Sequence, residues 1–470
     1  MAQGEIATHG TGTTTTTTWK HEYWSSRLVF VLAATGSAVG LGNIWKFPYI
    51  TGIYGGGAFV LVYLVCIALI GLPVMIAEIL IGRRGGQSPI ASMRELARQE
   101  RRSSIWEIAG WMGVIGSFLI LSFYSVIAGW AVVYVWYAVS GQFSVAAADP
   151  EQATATIGAI FDGLLASPIS LIAWHTVFMV LTIFIVARGI KAGLERAVTI
   201  MMPALFVILI GLVAYAAFAT DSFGRGMAFL FQPDFSKLSW EGVLVALGHA
   251  FLSLSLGMGI MVAYGSYLPR HISIPQASIT VSILDTTVAL LAGMAIFPIV
   301  FANGLEPGAG PGLVFVTLPI AFGEMPGGLV VGTLFFILLV FAALTSSISL
   351  LEPTVEFLEG RRGISRRQAA IGAGAVIWLA GLASALSFNA WSGVEVFGGN
   401  IFDSLDFLTS NIMLPITALL LALFAGWAMA ASSTQDELEM ADTTGYRLWR
   451  FAIRYVSPIC ILIIFIYNLL

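Results

Sequence analysis

Eleven apolar stretches, each about twenty residues or longer, alternate with short polar connections, at roughly 28–50, 57–81, 108–139, 168–187, 195–219, 241–267, 275–302, 329–358, 369–388, 402–430 and 448–470. A run of that length is what a helix needs to cross hydrocarbon, and an open sheet edge would leave its backbone unsatisfied there. The pattern predicts an all-α membrane protein of about eleven transmembrane helices. Ahead of the first stretch, Met1 to Thr18 is polar and ends in a threonine run. Residues 1–23 are expected to form a disordered cytoplasmic tail with no cleaved leader.

Composition agrees: 58% of the 470 residues are hydrophobic and only 10% charged, where soluble domains carry about 25% charged residues. Cys66 and Cys460 both lie inside apolar runs and offer neither a disulfide framework nor metal-ligand spacing. The net charge of -4 says less than its placement. Arg83, Arg84, Arg94, Arg98, Arg101 and Arg102 share one connection and Arg361, Arg362, Arg366 and Arg367 another. Segments 141–167 and 303–328 hold Asp149, Glu151, Asp162, Glu306 and Glu324 and no base. This asymmetry places the N-terminus in the cytoplasm and, for an odd number of spans, the C-terminus outside, in an inner membrane. The pattern calls for a lipid bilayer and for no nucleic acid. His175 and His271 have no Cys, Asp or Glu at ligand spacing, and neither GxSxG nor HExxH occurs, so no enzyme is expected.

Two spans carry small-residue clusters at their middles: GSAVGLGN, Gly36–Asn43, in the first, and SLSLGMG, Ser253–Gly259, in the sixth. Each cluster alone reads first as close helix packing. Glycine costs a helix interior about 1 kcal/mol against alanine, and matching positions five spans apart favour broken helices around a midplane site. Unwound backbone presents carbonyls, which with hydroxyls and a carboxylate suit a hard cation such as sodium. Thr345, Ser346 and Ser347 in the eighth span either face such a cavity or bond back to their own helix. Asp285, near the middle of the seventh, costs about 2.5–3.5 kcal/mol on the insertion scale and needs a cation, a wet cavity or a proton. Asn43 offers an amide oxygen. Lys46 either snorkels outward or pairs with Asp403 or Asp406 as a gate. Glu78, Glu352 and Glu356 lie toward the basic ends, where structural pairing is expected.

These motifs resemble a known family. GSAVGLGNIWKFPY at 36–49, YGGGAF at 54–59, SFYSVIAGW at 122–130, SLSLGMG at 253–259 and LTSSISLLEP at 344–353, in this order, are similar to those of prokaryotic neurotransmitter:sodium symporters from Trp24 to the end. The resemblance implies a 5+5 inverted repeat with helices 1 and 6 broken, repeats at about 24–220 and 240–430, and an extra helix at about 448–470. It implies sodium-coupled import of a neutral, zwitterionic amino acid by alternating access, as a monomer or homodimer. A sensor of the same fold without flux, or a carrier of a non-amino-acid osmolyte, are the alternatives.

Residue by residue, the resemblance implies two sodium sites: Ala38, Asn43, Ser253 and Asp285 for the first; Gly36, Val39, Ala342, Thr345 and Ser346 for the second. The substrate carboxylate would meet Leu41, Gly42 and Tyr124, its amino group the carbonyls of Ala38, Leu252 and Ser255, with Ser253 alongside. Ser37, Ile120, Ser255, Met258, Ser346, Ser349 and Leu350 would surround its side chain. Gly40 stands where the resembling monoamine carriers hold an aspartate, which argues for an amino acid. Lys46 and Asp406 would form the outer gate, without the fork of the usual arginine, and Trp24 the inner one. Leu252 replaces an aromatic lid, and His249 a glutamine one turn earlier. On the inner side the usual basic and acidic partners read His21 and Gly360, with Glu359 adjacent. Asp285 supplies the charge that chloride provides in animal members, which implies chloride-independent transport. Gly193 and Pro203 mark a fifth span that unwinds toward the cytoplasm.

Overall fold

The structure, a computed structural model, describes residues 22–149, 152–306, 312–361, 363–396 and 398–469. The tail expected at 1–23 lies outside them apart from Glu22 and Tyr23, as do His21 and Arg362. Among the described residues nine helices are long and apolar enough to cross a bilayer. They are Gly57–Gly85, Ser104–Val139, Pro168–Val186, Ile190–Ala219, Ile274–Ala302, Gly328–Glu359, Arg366–Leu386, Ile401–Ala428 and Thr444–Leu469. A further span is the pair Arg27–Ala38 and Gly42–Ile53, bent by 54°. The sixth expected span is likewise two helices, Trp240–Ser253 and Ile260–Ser266. Nine continuous and two broken spans make the expected eleven, with the breaks in the first and sixth, five spans apart.

Each break has a local cause. Val39 is extended (φ -71°, ψ 102°), so the first helix ends at Ala38 and a new one starts at Gly42. In the sixth span Ser255, Gly257 and Gly259 have φ of 53°, 77° and 70°, a left-handed region that costs any residue with a Cβ. At Gly257 a Cβ would also lie 2.5 Å from the Leu414 carbonyl oxygen. Ser255 accepts the strain and donates its hydroxyl to the Ser37 carbonyl at 2.9 Å, which ties the two breaks together. Gly113 lets the third span approach the second break, where a Cβ would sit 3.0 Å from the Gly259 nitrogen.

The connections between spans contain helices too short to cross a bilayer, among them Pro89–Gln99, Ala153–Ala166, Leu313–Glu324 and Ala431–Leu438. One end of the bundle carries the arginine-rich connections. There Arg83 Nε lies 2.5 Å from Glu437 Oε1, both side chains buried, and Arg83 Nη1 donates to the Ile272 carbonyl at 2.6 Å. Arg450 caps the Ala425 and Met429 carbonyls at the end of the tenth span. This basic face is thus locked across the second, sixth, tenth and eleventh spans.

Candidate functional site

A cavity of about 320 Å³ lies between the breaks and the third, eighth and tenth spans. Ser37, Ala38, Leu41, Gly42, Ile120, Tyr124, Leu252, Ser255, Met258, Ser346 and Leu350 line it, together with Gly40, Phe123, Ile127 and Ile260. The Leu41 N–H donates to the Tyr124 hydroxyl at 3.4 Å, so the frayed start of the helix following the first break points a donor into the cavity. A Cβ on Gly40 would stand 2.6 Å from Ser346 Oγ and 3.2 Å from the Tyr124 hydroxyl. Ser349 points elsewhere. Its hydroxyl lies 2.7 Å from that of Tyr264 and donates to the Thr345 carbonyl, behind the cavity wall.

Beside the cavity is a buried polar knot. Asn43 Nδ2 donates to Asp285 Oδ1 at 2.7 Å and to the Asp285 carbonyl at 3.2 Å, and Ser253 Oγ donates to Asp285 Oδ2 at 2.5 Å. The Asn43 amide oxygen faces the first break and accepts the Gly40 N–H at 3.3 Å. Tyr63 completes the knot with its hydroxyl 3.0 Å from Ser253 Oγ. Asp285 is wholly buried with no cation at salt-bridge distance among the described residues. Three of the residues expected at one sodium site, Asn43, Ser253 and Asp285, are thereby joined, with Ala38 on the adjoining cavity wall.

The second expected set is also contiguous. Ser346 Oγ donates to the Val39 carbonyl at 3.3 Å and the Ser37 carbonyl at 3.2 Å, and Thr345 Oγ1 to the Ala342 carbonyl at 3.0 Å. A Cβ on Gly36 would be 3.2 Å from Thr345 Cβ, so the first span lies directly on the eighth there. The geometry brings carbonyl and hydroxyl oxygens of both spans into one buried cluster.

At one end the cavity reaches Lys46, Asp403 and Asp406. No ion pair joins Lys46 to either acid among the described residues, and Asp406 Oδ1 accepts the Ser410 hydroxyl at 2.8 Å. At the basic face Trp24 is buried. Its Nε1 donates to the Tyr264 carbonyl and its backbone N–H to the Tyr267 carbonyl, both at 3.0 Å, with its ring edge-on to Tyr264. Ser25 donates its N–H and its hydroxyl to Glu195, and the Ile190 N–H donates to Glu22, so the segment before the first span is fastened to the π-helical start of the fifth, Ile190–Glu195. Glu359 pairs with Arg366 at 3.2 Å.

Two participants escaped the sequence. Tyr63 sits in a uniformly apolar run, and its partner Ser253 is 190 residues away. Glu78 was expected to pair near the basic end. Instead it accepts the Gly257 N–H of the second break at 2.8 Å, because the second span runs alongside the unwound segment. His249 lies beside the Phe47 and Tyr63 rings at 6.0 and 5.4 Å between centroids.

The profile of the Sodium:neurotransmitter symporter family matches residues 21–157 and 158–470. An uncharacterized sodium-dependent transporter, YhdH, of Bacillus subtilis is 38% identical over 446 residues, covering 94% of this chain and 96% of the relative. An uncharacterized sodium-dependent transporter of Haemophilus influenzae is 34% identical, covering 97% and 100%. Among solved structures, that of MhsT in complex with L-phenylalanine superposes with a TM-score of 0.86 at 46% identity, over 96% of this chain and 100% of that one.

Proposed function

Because the chain belongs to the sodium:neurotransmitter symporter family, we propose that it imports a neutral amino acid with two sodium ions, independently of chloride. The observation that carries this reading is the cavity between two broken helices, bordered on one side by the Asn43–Ser253–Asp285 knot and on the other by the Thr345–Ser346 cluster. The substrate carboxylate takes the Leu41 N–H and the Tyr124 hydroxyl in place of their mutual bond, at a helix start whose partial positive charge suits an anion. The Ala38, Leu252 and Ser255 carbonyls receive the ammonium group. Ile120, Met258 and Leu350, with Phe123 and Ile127 nearby, favour an apolar side chain, and the phenylalanine held by MhsT supports the same class.

The first sodium is held by Asp285, Ser253, Asn43 and the Ala38 carbonyl, with the substrate carboxylate adjacent. The second is held by the Gly36, Val39 and Ala342 carbonyls and the Thr345 and Ser346 hydroxyls. Oxygen-only sets of this kind suit a hard cation. The fixed Asp285 carboxylate supplies the charge that makes chloride unnecessary. The basic face is cytoplasmic, in a bacterial inner membrane. Lys46 and Asp406 close the outer side, and release of Trp24 opens the inner one. Two sodium ions crossing with a net-neutral solute at about 100 mV contribute about 4.6 kcal/mol before any concentration gradient. Each 1.4 kcal/mol or so is worth about tenfold in accumulation.

The test is uptake of labelled neutral amino acids by purified protein in proteoliposomes, with sodium or potassium outside and with chloride replaced by gluconate. Sodium-dependent, chloride-indifferent accumulation of one of them is expected. Binding with sodium but no accumulation would instead indicate a sensor, and no binding at all would remove the amino-acid assignment.

A further inference from the structure

Between the sixth and eighth spans at the basic face, the charges do not balance. Glu352 is fully buried; its Oε1 accepts the Tyr267 hydroxyl at 2.9 Å and its Oε2 lies 2.5 Å from Arg366 Nη2. Arg366 also reaches Glu359 at 3.2 Å, and Glu359 is partly open to solvent. One turn from Glu352, Glu356 is 1% exposed. No cation bonds to it among the described residues, and its Oε2 has no hydrogen-bond partner. The charged groups that act on Glu356 are Glu352 and Glu359 on its own helix and Arg366. From the sixth span Tyr264 bonds Ser349 and Tyr267 bonds Glu352. Around the rest of the helix, Arg94 pairs with Glu107, Arg98 with Glu95, and Glu195 with Ser25.

The burial of Glu356 argues for its neutral form. Ser266 Oγ lies 2.7 Å from the Ala263 carbonyl oxygen and donates to Glu356 Oε1 at 2.7 Å. One hydroxyl hydrogen shared between two acceptors serves Oε1, while Oε2 has no partner among the described residues. A carboxylate buried in this way without a cation is disfavoured against the neutral acid.

Resting on the symporter reading, we propose that Glu356 is a proton-binding site of the inner gate, protonated while the gate is closed and deprotonated when it opens. Ser266 ends the helix that follows the second break, and the next residue, Tyr267, holds the Trp24 segment through its carbonyl. When Trp24 leaves, water reaches Glu356, the carboxylic O–H bond breaks, and the proton passes to water at the basic face. Closing reverses this. Opening therefore releases one proton: acid at that face favours the closed gate, and rising pH favours the open one.

Two measurements test this with the full-length protein. The infrared C=O band of a protonated carboxyl should be present in the wild type and lose one component in Glu356→Gln; identical spectra overturn the proposal, whether or not any amino acid is transported. In proteoliposomes with external pH fixed, wild-type uptake should rise as internal pH rises, by at most about tenfold per pH unit, the limit for one proton. Glu356→Gln should remove that slope, because its amide keeps the shape of the neutral acid and an oxygen to accept from Ser266 but cannot ionise. A slope kept in Glu356→Gln, or absent from an actively transporting wild type, overturns the gate role. If Glu356→Gln fails to fold, Ser266→Ala is read instead: removing the donor to Glu356 Oε1 disfavours the carboxylate and should move the midpoint of the internal-pH profile to higher pH, and an unmoved midpoint overturns the proposal. The missing band component with no sodium-driven uptake of any amino acid would sink the symporter reading and leave the proton site standing.

Discussion

Asn43 and Asp285, 242 residues apart, are joined at 2.7 Å inside the bundle, and this bond links the first break to the seventh span. Asp285 has two further contacts with Ser253 and the Asn43 amide but no compensating cation at bonding distance among the described residues. A carboxylate so placed suits a cation arriving from the adjoining cavity. Asp285→Asn keeps the shape and removes the charge. The sodium concentration for half-maximal substrate binding should rise at least about tenfold in gluconate medium, about 1.4 kcal/mol, and chloride should restore part of the loss. An unchanged sodium requirement in gluconate would show that the charge of Asp285 plays no part in ion binding.

Tyr63 tests whether the knot acts as a unit. Its hydroxyl touches Ser253, and Ser253 in turn holds Asp285 Oδ2. Tyr63→Phe removes one hydrogen bond, worth about 1 kcal/mol net, without emptying the space. Sodium affinity should fall about fivefold while thermal stability changes little. A variant that loses stability but keeps sodium affinity would make Tyr63 a packing residue only.

The spans were legible because hydrocarbon thickness imposes a length that apolar runs display directly. The breaks were legible because left-handed backbone at Gly257 and Gly259 needs glycine, which is visible as a letter. Direction around a helix was harder to read. Ser346 and Ser349 lie three residues apart on one helix, yet Ser346 reaches the first break and Ser349 turns to Tyr264, a choice made by the sixth span. Glu78 reads as a residue near a basic end until the fold brings Gly257 to it across 179 residues. The helix Ala431–Leu438 is short and polar, so no hydrophobic run announced it, although its Glu437 anchors Arg83.

That anchor predicts a stability effect separate from transport. The side chains of Arg83 and Glu437 are 4% and 2% exposed. Arg83→Ala leaves Glu437 with Arg84 at 3.6 Å as its remaining cation, and breaking a buried pair by removing one partner costs about 3–5 kcal/mol. The melting temperature in detergent should fall clearly. Adding Glu437→Gln should recover part of it by removing the stranded charge, but not all, because the Ile272 carbonyl also loses its donor. Equal melting temperatures for Arg83→Ala and wild type would mean that the basic face is not locked through this pair.

Gly40 separates the substrate reading from any generic cavity. A methyl group there would crowd Ser346 Oγ at 2.6 Å and the Tyr124 hydroxyl at 3.2 Å. Both atoms belong to side chains and can move, so the fold should survive Gly40→Ala. Their movement has consequences, since Ser346 bonds the Val39 carbonyl and Tyr124 accepts the Leu41 N–H. Substrate affinity should drop at least about tenfold, about 1.4 kcal/mol, with a smaller loss of sodium affinity and a melting temperature near that of the wild type. Equilibrium binding of the accumulated amino acid at saturating sodium reads the first quantity, and a sodium titration at fixed amino acid the second. If Gly40→Ala binds the amino acid as tightly as the wild type, the carboxylate does not sit between Leu41 and Tyr124. The solute would then have to be sought toward the Lys46 and Asp406 end of the cavity.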